Sequence, residues 1–271
     1  MIKGGWLLLV AALALSCAGM DAGRDNPLYA DEPVAVQNQP MREQSENAHW
    51  VAGAQSGLLT IFGVSNPQLR RETEIENAME DAARKAAMFQ GIQGSVRTVN
   101  RTGSGFLDFT FDSSVDYTYD SNLEKYRDRL KYEPDKDIIR IDGAVFIKMQ
   151  YEVPGQENIS YVAAKITDGR PAWINSVDLP RFEGYTVVVG FARNQRWLKD
   201  TITKSSEDAV ARLIERSSSQ VTTNETSVSG YGSSSVIYTQ SAGSLLHFRV
   251  LEFWIDPESR AVWTLAVAKI L

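Results

Sequence analysis

Histidine and cysteine, which often bind metals or act as bases and nucleophiles, are scarce in this chain. There are two histidines, His49 and His247, and a single cysteine, Cys17. A zinc site takes three or four Cys, His or carboxylate ligands, and a Ser-His-Asp triad would have to use one of these two histidines. The chain contains no Gly-x-Ser-x-Gly elbow, no Walker loop and no Gly-x-Gly-x-x-Gly motif. We therefore expect no catalytic, cofactor-binding or metal-binding site, and a protein that is not an enzyme.

Paired carboxylates are the remaining candidates for acid–base chemistry. Glu80–Asp81 and Glu207–Asp208 are two such pairs, each in a segment that is predicted to be helical. Adjacent helical residues point in different directions, and the repetition of the pair favours an architectural use, such as pairing with Arg84 or Arg212. A cell-wall glycan hydrolase is the alternative, and its carboxylates would lie in the segment 108–137.

One tryptophan has the surroundings of an interaction site. Trp197 follows Arg193 and Arg196 near the start of the second predicted helix, and exposed Trp and Arg side chains are typical anchors of interfaces. Packing in the core or against the start of the helix is the alternative. The Ser-rich segment 217–244 is predicted to be a flexible loop or a polar hairpin, with a mobile binding loop as the alternative.

Composition excludes several classes of protein. The chain has 271 residues, of which 43% are hydrophobic and 23% charged, as in soluble globular proteins and unlike disordered chains. One cysteine cannot form an intramolecular disulfide. The formal net charge of −6 disfavours nucleic acid as a partner, because nucleic-acid binding needs a basic surface. The length allows one large domain or two small ones.

The N-terminal residues have the pattern of a signal peptide. Lys3 supplies the basic start and Trp6–Leu15 the apolar core, which is too short to span a bilayer. Residues Leu13–Ser16 are followed by Cys17, and together they resemble a lipobox. In a lipobox the cysteine is acylated and becomes the first residue of the mature chain. We therefore predict a signal peptide over residues 1–16 and lipidation of Cys17. An ordinary secretory signal is the alternative.

Residues 17–47 have the composition of a flexible tether. Pro27, Pro33 and Pro40 recur in a polar background, and no helical or strand periodicity persists. A tether of this length reaches up to about 100 Å when fully extended. Folded structure is expected to begin near His49.

The rest of the sequence contains an internal repeat. Gly63 and Gly190 each lie near the end of an apolar run and are 127 residues apart, and the Glu-Asp-Ala triplets at Glu80 and Glu207 keep the same separation. A glycine at the end of each predicted strand suits a tight strand-to-helix turn. The segment between these anchors has an apolar stripe with helical spacing, which is clear in the first copy and weaker in the second. Each unit is therefore predicted to run strand, helix, strands and terminal hairpin.

The ends of the two units also match. Residues 161–166 (YVAAKI) pair with residues 265–270 (LAVAKI), and the fall in offset from 127 to 104 leaves about 23 additional residues in the first unit. These include a short predicted helix over residues 122–130. We predict an α+β fold of two tandem small domains, residues 48–169 and 170–271, each with a helix or two packed on a mostly antiparallel sheet.

Together these features resemble the Lpp-twenty lipoprotein family of bacterial envelopes. The closest local matches are Glu80–Arg84 (EDAAR) and Phe253–Pro257 (FWIDP). The resemblance covers most of residues 49–271, in two copies. It implies an envelope location and a binding or structural role, and it carries over no catalytic residues.

We accordingly expect a lipid-anchored bacterial envelope protein with a non-enzymatic role, for example in assembly of an envelope or flagellar structure. Its partners would be the membrane, through the N-terminal lipid, and one or more envelope proteins. Ala18, rather than Asp, follows the lipidated cysteine, which favours the outer membrane, with the domains facing the periplasm or the surface. A periplasmic regulator of a cell-wall synthase is the principal alternative.

Overall fold

A computed structural model describes residues 49–51, 57–102, 110–153, 159, 161–175, 178–218, 221–230 and 232–271. The predicted signal peptide, the predicted lipidation site and the predicted tether lie outside these residues. The helices are α1 (Arg71–Gln90), α2 (Glu124–Arg127), α3 (Pro134–Asp137) and α4 (Leu198–Ser217). The strands are β1 (His49–Val51), β2 (Leu58–Ser65), β3 (Ile92–Thr102), β4 (Thr110–Thr118), β5 (Leu130–Lys131), β6 (Ile138–Ile141), β7 (Ala144–Glu152), β8 (Ile166–Thr167), β9 (Arg170–Pro171), β10 (Thr186–Ala192), β11 (Val221–Gly230), β12 (Gly232–Ile255) and β13 (Val262–Ile270).

The fold is α+β, as predicted, and in the first half a long helix packs on an antiparallel sheet. Strand β7 lies between β2 on one side and β5 and β6 on the other. Helix α1 packs on β2 and β7 because its alanines recur at spacings that place them on one helical face. The buried alanines of this face are Ala78, Ala82, Ala83, Ala86 and Ala87.

The second half repeats this arrangement. Strand β13 lies between β10 and the C-terminal part of β12. Helix α4 packs on β10, β12 and β13. Its apolar face is broader than that of α1 because larger aliphatic residues replace several alanines. The buried apolar residues of this face are Leu198, Ile202, Ala209, Val210, Leu213 and Ile214.

The repeated glycines bring each helix into contact with its strand. Gly63 lies inside β2 and Gly190 inside β10, so neither occupies the strand-to-helix turn that the sequence predicts for it. A Cβ atom on Gly63 would lie 2.1 Å from the carbonyl oxygen of Ala78, and one on Gly190 would lie 2.1 Å from that of Ser205. Both contacts keep the 127-residue offset. The repeat therefore preserves a close approach of helix backbone to strand.

The two halves share one sheet. Strand β3 of the first half pairs antiparallel with β12 of the second, with Ile92 opposite Leu245 at one end. Strands β4 and β11 lie outside them, which gives the order β4–β3–β12–β11. Residues 44–271 form one compact unit, and the predicted boundary at residue 169 falls inside it. The joining has a simple cause, since two neighbouring hairpins satisfy each other's open backbone edges by pairing.

The polar hairpin predicted for the Ser-rich segment is present in the described part of that segment. Strand β11 and the first part of β12 pair antiparallel across it. This hairpin is the one that pairs with β3, so the Ser-rich segment joins the halves.

The terminal hairpins correspond differently from the sequence match at offset 104. Ile147 of β7 lies opposite Gly63, just as Thr264 of β13 lies opposite Gly190. In the second half, the end of β12 and strand β13 form a hairpin. Its counterpart in the first half is the hairpin β6–β7 and not the segment 161–166. The segment YVAAKI has no strand before its last residue. A six-residue similarity does not specify a pairing partner, and the partner decides which strand occupies a sheet position.

An insertion in the first half is confirmed. Helix α2 lies within the predicted range 122–130. Together with β5 and α3 it separates β4 from β6, whereas β12 runs continuously from its first hairpin into its second.

The chain between the halves covers the face of the second sheet opposite α4. Trp173 is buried there, and Tyr161 and Phe182 pack against the same cluster. Glu252 of β12 accepts hydrogen bonds from the hydroxyl of Tyr161 and from the backbone N–H of Ala164 (3.3 Å). Burial and the bond to Glu252 raise the pKa of the Tyr161 hydroxyl. These bonds attach the connecting segment to the sheet, because a buried carboxylate without donors is strongly destabilising.

Candidate functional site

The carboxylate of Asp81 connects strand and helix in the first half. Its Oδ2 accepts hydrogen bonds from the backbone N–H of Val64 (2.9 Å) and from Lys85 Nζ (2.7 Å). Lys85 Nζ also donates to the carbonyl of Phe62 (2.6 Å). Asp81 is a buried residue, so its charge is compensated inside the fold and is engaged in architecture.

Asp208 repeats this role in the second half. Its Oδ2 accepts hydrogen bonds from the backbone N–H of Phe191 (2.8 Å) and from Arg212 Nε (2.9 Å). Each of the three positions lies 127 residues after its counterpart in the first half. The prediction that these carboxylates are architectural agrees with this geometry.

The basic partner of Asp81 is Lys85. It lies one position after Arg84, the residue that the sequence predicted for this role. Arg84 instead pairs with Glu80 on the helix surface, with Arg84 Nη2 at 3.0 Å from the carboxylate. The one-residue mismatch between Arg84 and Arg212 therefore disappears, because Lys85 and Arg212 are the equivalent residues.

The predicted interaction residues lie together on an exposed loop. Trp197 is the N-cap residue of α4, and its side chain is 41% exposed. The guanidinium carbon of Arg196 lies 5.4 Å from the centre of the Trp197 ring, a cation–π geometry. Arg193 is exposed on the same loop, and its carbonyl accepts a hydrogen bond from Gln195 Nε2 (3.0 Å). The position of Trp197 at the start of the helix and its exposure exclude a buried core role.

The equivalent loop of the first half is also exposed, and it contacts the start of α4. Leu69, which is 94% exposed, and Arg70 lie 127 residues before Arg196 and Trp197. Asn66 Nδ2 donates a hydrogen bond to Asp200 at the start of α4 (3.2 Å), so the first loop contacts the second helix. We call the combined region the two-loop surface. It consists of Leu69, Arg70, Arg193, Arg196 and Trp197.

Sequence reasoning missed Leu69 and Arg70. The signal that finds them is the repeat itself, because the 127-residue offset maps the predicted Arg196 and Trp197 onto them. A strand-to-helix loop in one copy predicts the same loop in the other.

A hydrolase would place its carboxylates in the segment 108–137. Two acids in the described part of this segment, Asp120 and Glu133, pair with lysines. Asp120 accepts hydrogen bonds from Lys125 and from the hydroxyl of Tyr126 (3.1 Å). The bond from Lys125 is the main reason that the pKa of Asp120 lies below its usual range. Glu133 pairs with Lys136 at 2.5 Å. A general acid needs the opposite shift, since it must hold its proton near neutral pH.

His247 is a half-buried residue of strand β12. It lies in a bulge of β12 with a φ of 55°, and its ring stacks on that of Phe89 at 5.1 Å between centres. Its Nδ1 lies 3.3 Å from the hydroxyl of Tyr185. Burial, with Lys269 and Arg249 nearby, lowers the pKa of His247. The side chain of the other histidine, His49, lies outside the described part of the structure.

A small cavity lies between the two halves. Its volume is about 50 Å³, and its lining includes Lys85 and Arg249 among mainly apolar residues. The apolar lining residues are Leu59, Ile61, Phe62, Ile202, Phe248, Val250 and Phe253.

Among the described residues, no group of three or more His, Cys, Asp or Glu side chains is placed to hold a metal ion. In the same part of the chain, no helix combines the length and the apolar character needed to cross a membrane. Comparisons with family models, with curated proteins and with solved structures find no match to this chain.

Proposed function

We propose that this chain is a lipid-anchored protein of the bacterial envelope, similar to the Lpp-twenty family, with a non-enzymatic binding role. The observation that carries the proposal is Cys17, the single cysteine, which follows Ser16 at the end of the apolar stretch Trp6–Leu15 that we predict to be part of a signal peptide. Acyl chains on this residue would bury many methylene groups, each contributing about 0.8 kcal/mol, in the bilayer. Ala18 as the next residue favours the outer membrane.

The tether gives the folded unit its reach. Residues 17–47 would separate the lipid from β1 by up to about 100 Å when extended. A partner at some distance from the membrane surface is therefore within range. This range supports both a structural partner in the envelope and, as the alternative, a cell-wall synthase.

The two-loop surface is the binding site that we propose for a protein partner. It contains two exposed apolar side chains, Leu69 and Trp197, and three exposed arginines, one of which, Arg196, lies over the Trp197 ring. Trp and Arg dominate the binding energy of many interfaces because they bury large areas and form directed polar contacts. The helix carboxylates Asp81 and Asp208 are engaged within the fold, which leaves this surface as the better candidate for function.

The anchor is tested by metabolic labelling in a bacterial host. Labelled palmitate is expected to be incorporated into the wild-type chain, and Cys17→Ser should abolish the label because no other thiol is present. Ser16→Ala is the matched control, and it should leave labelling intact since it retains the cysteine and the apolar stretch. Equal labelling of the wild type and Cys17→Ser would remove the anchor from the proposal.

The binding role is tested by photocrosslinking in intact cells from a reactive residue placed at position 69. We expect a discrete adduct with an envelope protein, and Trp197→Ala should lower its yield about tenfold or more, as expected for a hot-spot residue. Val162→Ala, at an exposed residue on the connecting segment, should leave the yield unchanged. Equal yields from all three chains would contradict the binding site. Identification of the adduct separates a structural partner from a cell-wall synthase.

A further inference from the structure

The sheet that joins the halves has a repeating strand order. In each half a hairpin follows the long helix: β3 and β4 follow α1, and β11 and the first part of β12 follow α4. In the order β4–β3–β12–β11, the first strand of one hairpin pairs with the second strand of the other. The contact between the halves is therefore head-to-tail, because each hairpin offers a different edge to it.

This order leaves one edge of each kind at the two ends of the sheet. In the described part of the chain, no strand pairs with the outer side of β4 or of β11. The outer side of β4 is the counterpart of the edge that β12 offers to β3. The outer side of β11 is the counterpart of the edge that β3 offers to β12. The two outer edges are thus complementary in the same sense as the two that already pair.

The repeat also gives the residue correspondence between the hairpins. Gly94 of β3 lies opposite Tyr117 of β4, and Val221 of β11 lies opposite Ser241 of β12. Val221 is 127 residues after Gly94, and Ser241 is 124 residues after Tyr117. The first strands therefore correspond at an offset of 127, which is the offset of the helices, and the second strands at an offset of 124.

These offsets transfer the pairing of β3 with β12 to the two outer edges. The transferred register runs from Thr222 opposite Thr118 of a second chain to Ser229 opposite its Phe111. It lies within both strands and spans nearly their whole length. It also sets no two acidic residues opposite each other, since Glu225 would lie opposite Val115. Like charges directly opposite would oppose the pairing.

The fold occupies other sheet edges with its own side chains. On the outer edge of β2, the backbone N–H of Val64 and the carbonyl of Phe62 bond to Asp81 and Lys85 of α1. Residues of α4 bond to the backbone of β10 in the same way. A further strand would have to displace these bonds, so β2 and β10 are protected edges.

Strands β4 and β11 lack the usual features that protect an edge. Neither contains a proline or a lysine. Each pairs with its hairpin partner in a continuous register without a bulge. Strands β4 and β11 have nine and ten residues, so neither is a short edge strand. Natural proteins protect open edges by such features because an open edge is a template for another strand.

We propose that β11 of one chain pairs antiparallel with β4 of a second copy of this chain, in the transferred register. Each added chain again presents one β4 edge and one β11 edge, so the contact repeats. Such a head-to-tail contact gives a ring where the rotation closes and a filament where it does not. The inference rests on backbone edges and on the repeat, and it does not depend on the lipid anchor or on the two-loop surface.

Disulfide formation between two separately purified chains tests the register. The chain from residue 17 contains the whole compact unit 44–271, and Cys17→Ser removes its only thiol. Opposite residues of antiparallel strands have Cα atoms about 4.5 to 5.5 Å apart, within reach of a disulfide. Ser114 and Thr118 are exposed, so cysteine is tolerated there. Four single substitutions are made in this chain: Ser114→Cys, Thr118→Cys, Thr222→Cys and Thr226→Cys.

The four variants supply their own matched controls. Mixtures of Ser114→Cys with Thr226→Cys and of Thr118→Cys with Thr222→Cys are in register and should form a disulfide under mild oxidation. Exchanging the partners moves each residue by four positions, about 13 Å along the strand, which is beyond the reach of a disulfide. We expect at least about tenfold more disulfide from the in-register mixtures.

The Cys17→Ser chain without a further substitution provides a second measurement. Its mass in solution, measured by light scattering, should rise with concentration in steps of one chain. A mass of one chain at every concentration would overturn the proposal. Equal disulfide yields from all four mixtures would contradict the register. A disulfide between two copies of one single variant would show that like edges pair, which contradicts a head-to-tail contact.

Discussion

Replacing Gly63 or Gly190 by alanine is expected to lower the free energy of unfolding by about 3 kcal/mol or more, at the upper end of overpacking effects. The new Cβ atom would lie 2.1 Å from a helix carbonyl oxygen, of Ala78 in one case and Ser205 in the other. Backbone atoms cannot rotate away as a side chain can, so the helix must separate from its strand. Urea unfolding followed by circular dichroism measures the change.

Gly91→Ala is the matched control for this pair. Gly91 has an extended backbone with a φ of 169°. A Cβ atom on Gly91 would lie 3.5 Å from the flexible side chain of Leu246, which is an ordinary contact distance. Gly91→Ala should change the free energy of unfolding by no more than about 1 kcal/mol. If all three variants lost similar stability, the close helix–strand approach would not explain the repeated glycines.

Phe146→Ala should destabilise both halves together, by about 3 to 5 kcal/mol. Phe146 of the first half is fully buried, and its ring stacks on Phe253 of the second half with 6.2 Å between centres. The two rings belong to one apolar cluster that also contains Leu198 and Ile202 of α4. Removal of the ring leaves a cavity at the contact between the halves.

Tryptophan fluorescence reads this coupling directly. Trp173, Trp197, Trp254 and Trp263 follow residue 169, and Trp50 lies in β1, which pairs with β12, so their fluorescence reports on the sheet of the second half. A mutation in β7 should still shift their urea transition to a lower midpoint with an unchanged slope, because the halves unfold as one unit. Val162→Ala, at an exposed residue, should change the free energy of unfolding by no more than about 0.5 kcal/mol. An unshifted tryptophan transition in Phe146→Ala would mean that the halves unfold independently.

The sequence predicted the strand–helix part of each half. The offset of 127 between Gly63 and Gly190 and between Asp81 and Asp208 reflects real contacts, because each glycine admits a helix backbone and each aspartate binds the following strand residue. Local patterns of this kind are readable, since the interacting residues lie close together in the chain. The α+β class followed from the same patterns.

The contacts between the halves were not readable in this way. Pairing of β3 with β12 joins residues as far apart as Ile92 and Leu245, and neither strand pattern specifies its partner. The match of YVAAKI to LAVAKI pointed to the wrong hairpin for the same reason. The bulge of β12 that contains His247 also cannot be read from a periodic pattern.

The candidate interaction surface was half predicted. Arg193, Arg196 and Trp197 were identified from their residue types, and they do lie on one exposed loop. Leu69 was missed because a single exposed leucine has no signal of its own. Its contribution becomes visible only when the repeat is applied to the loops as well as to the helices.

The central claim, anchoring through Cys17, is tested most directly by mass spectrometry of the N-terminal tryptic peptide from envelope membranes. The proposal predicts a peptide spanning Cys17–Arg24, with a diacylglycerol on the sulfur and an acyl chain on the amino group. Recovery of this peptide with an unmodified Cys17, or of a chain that still begins at Met1, would contradict the claim.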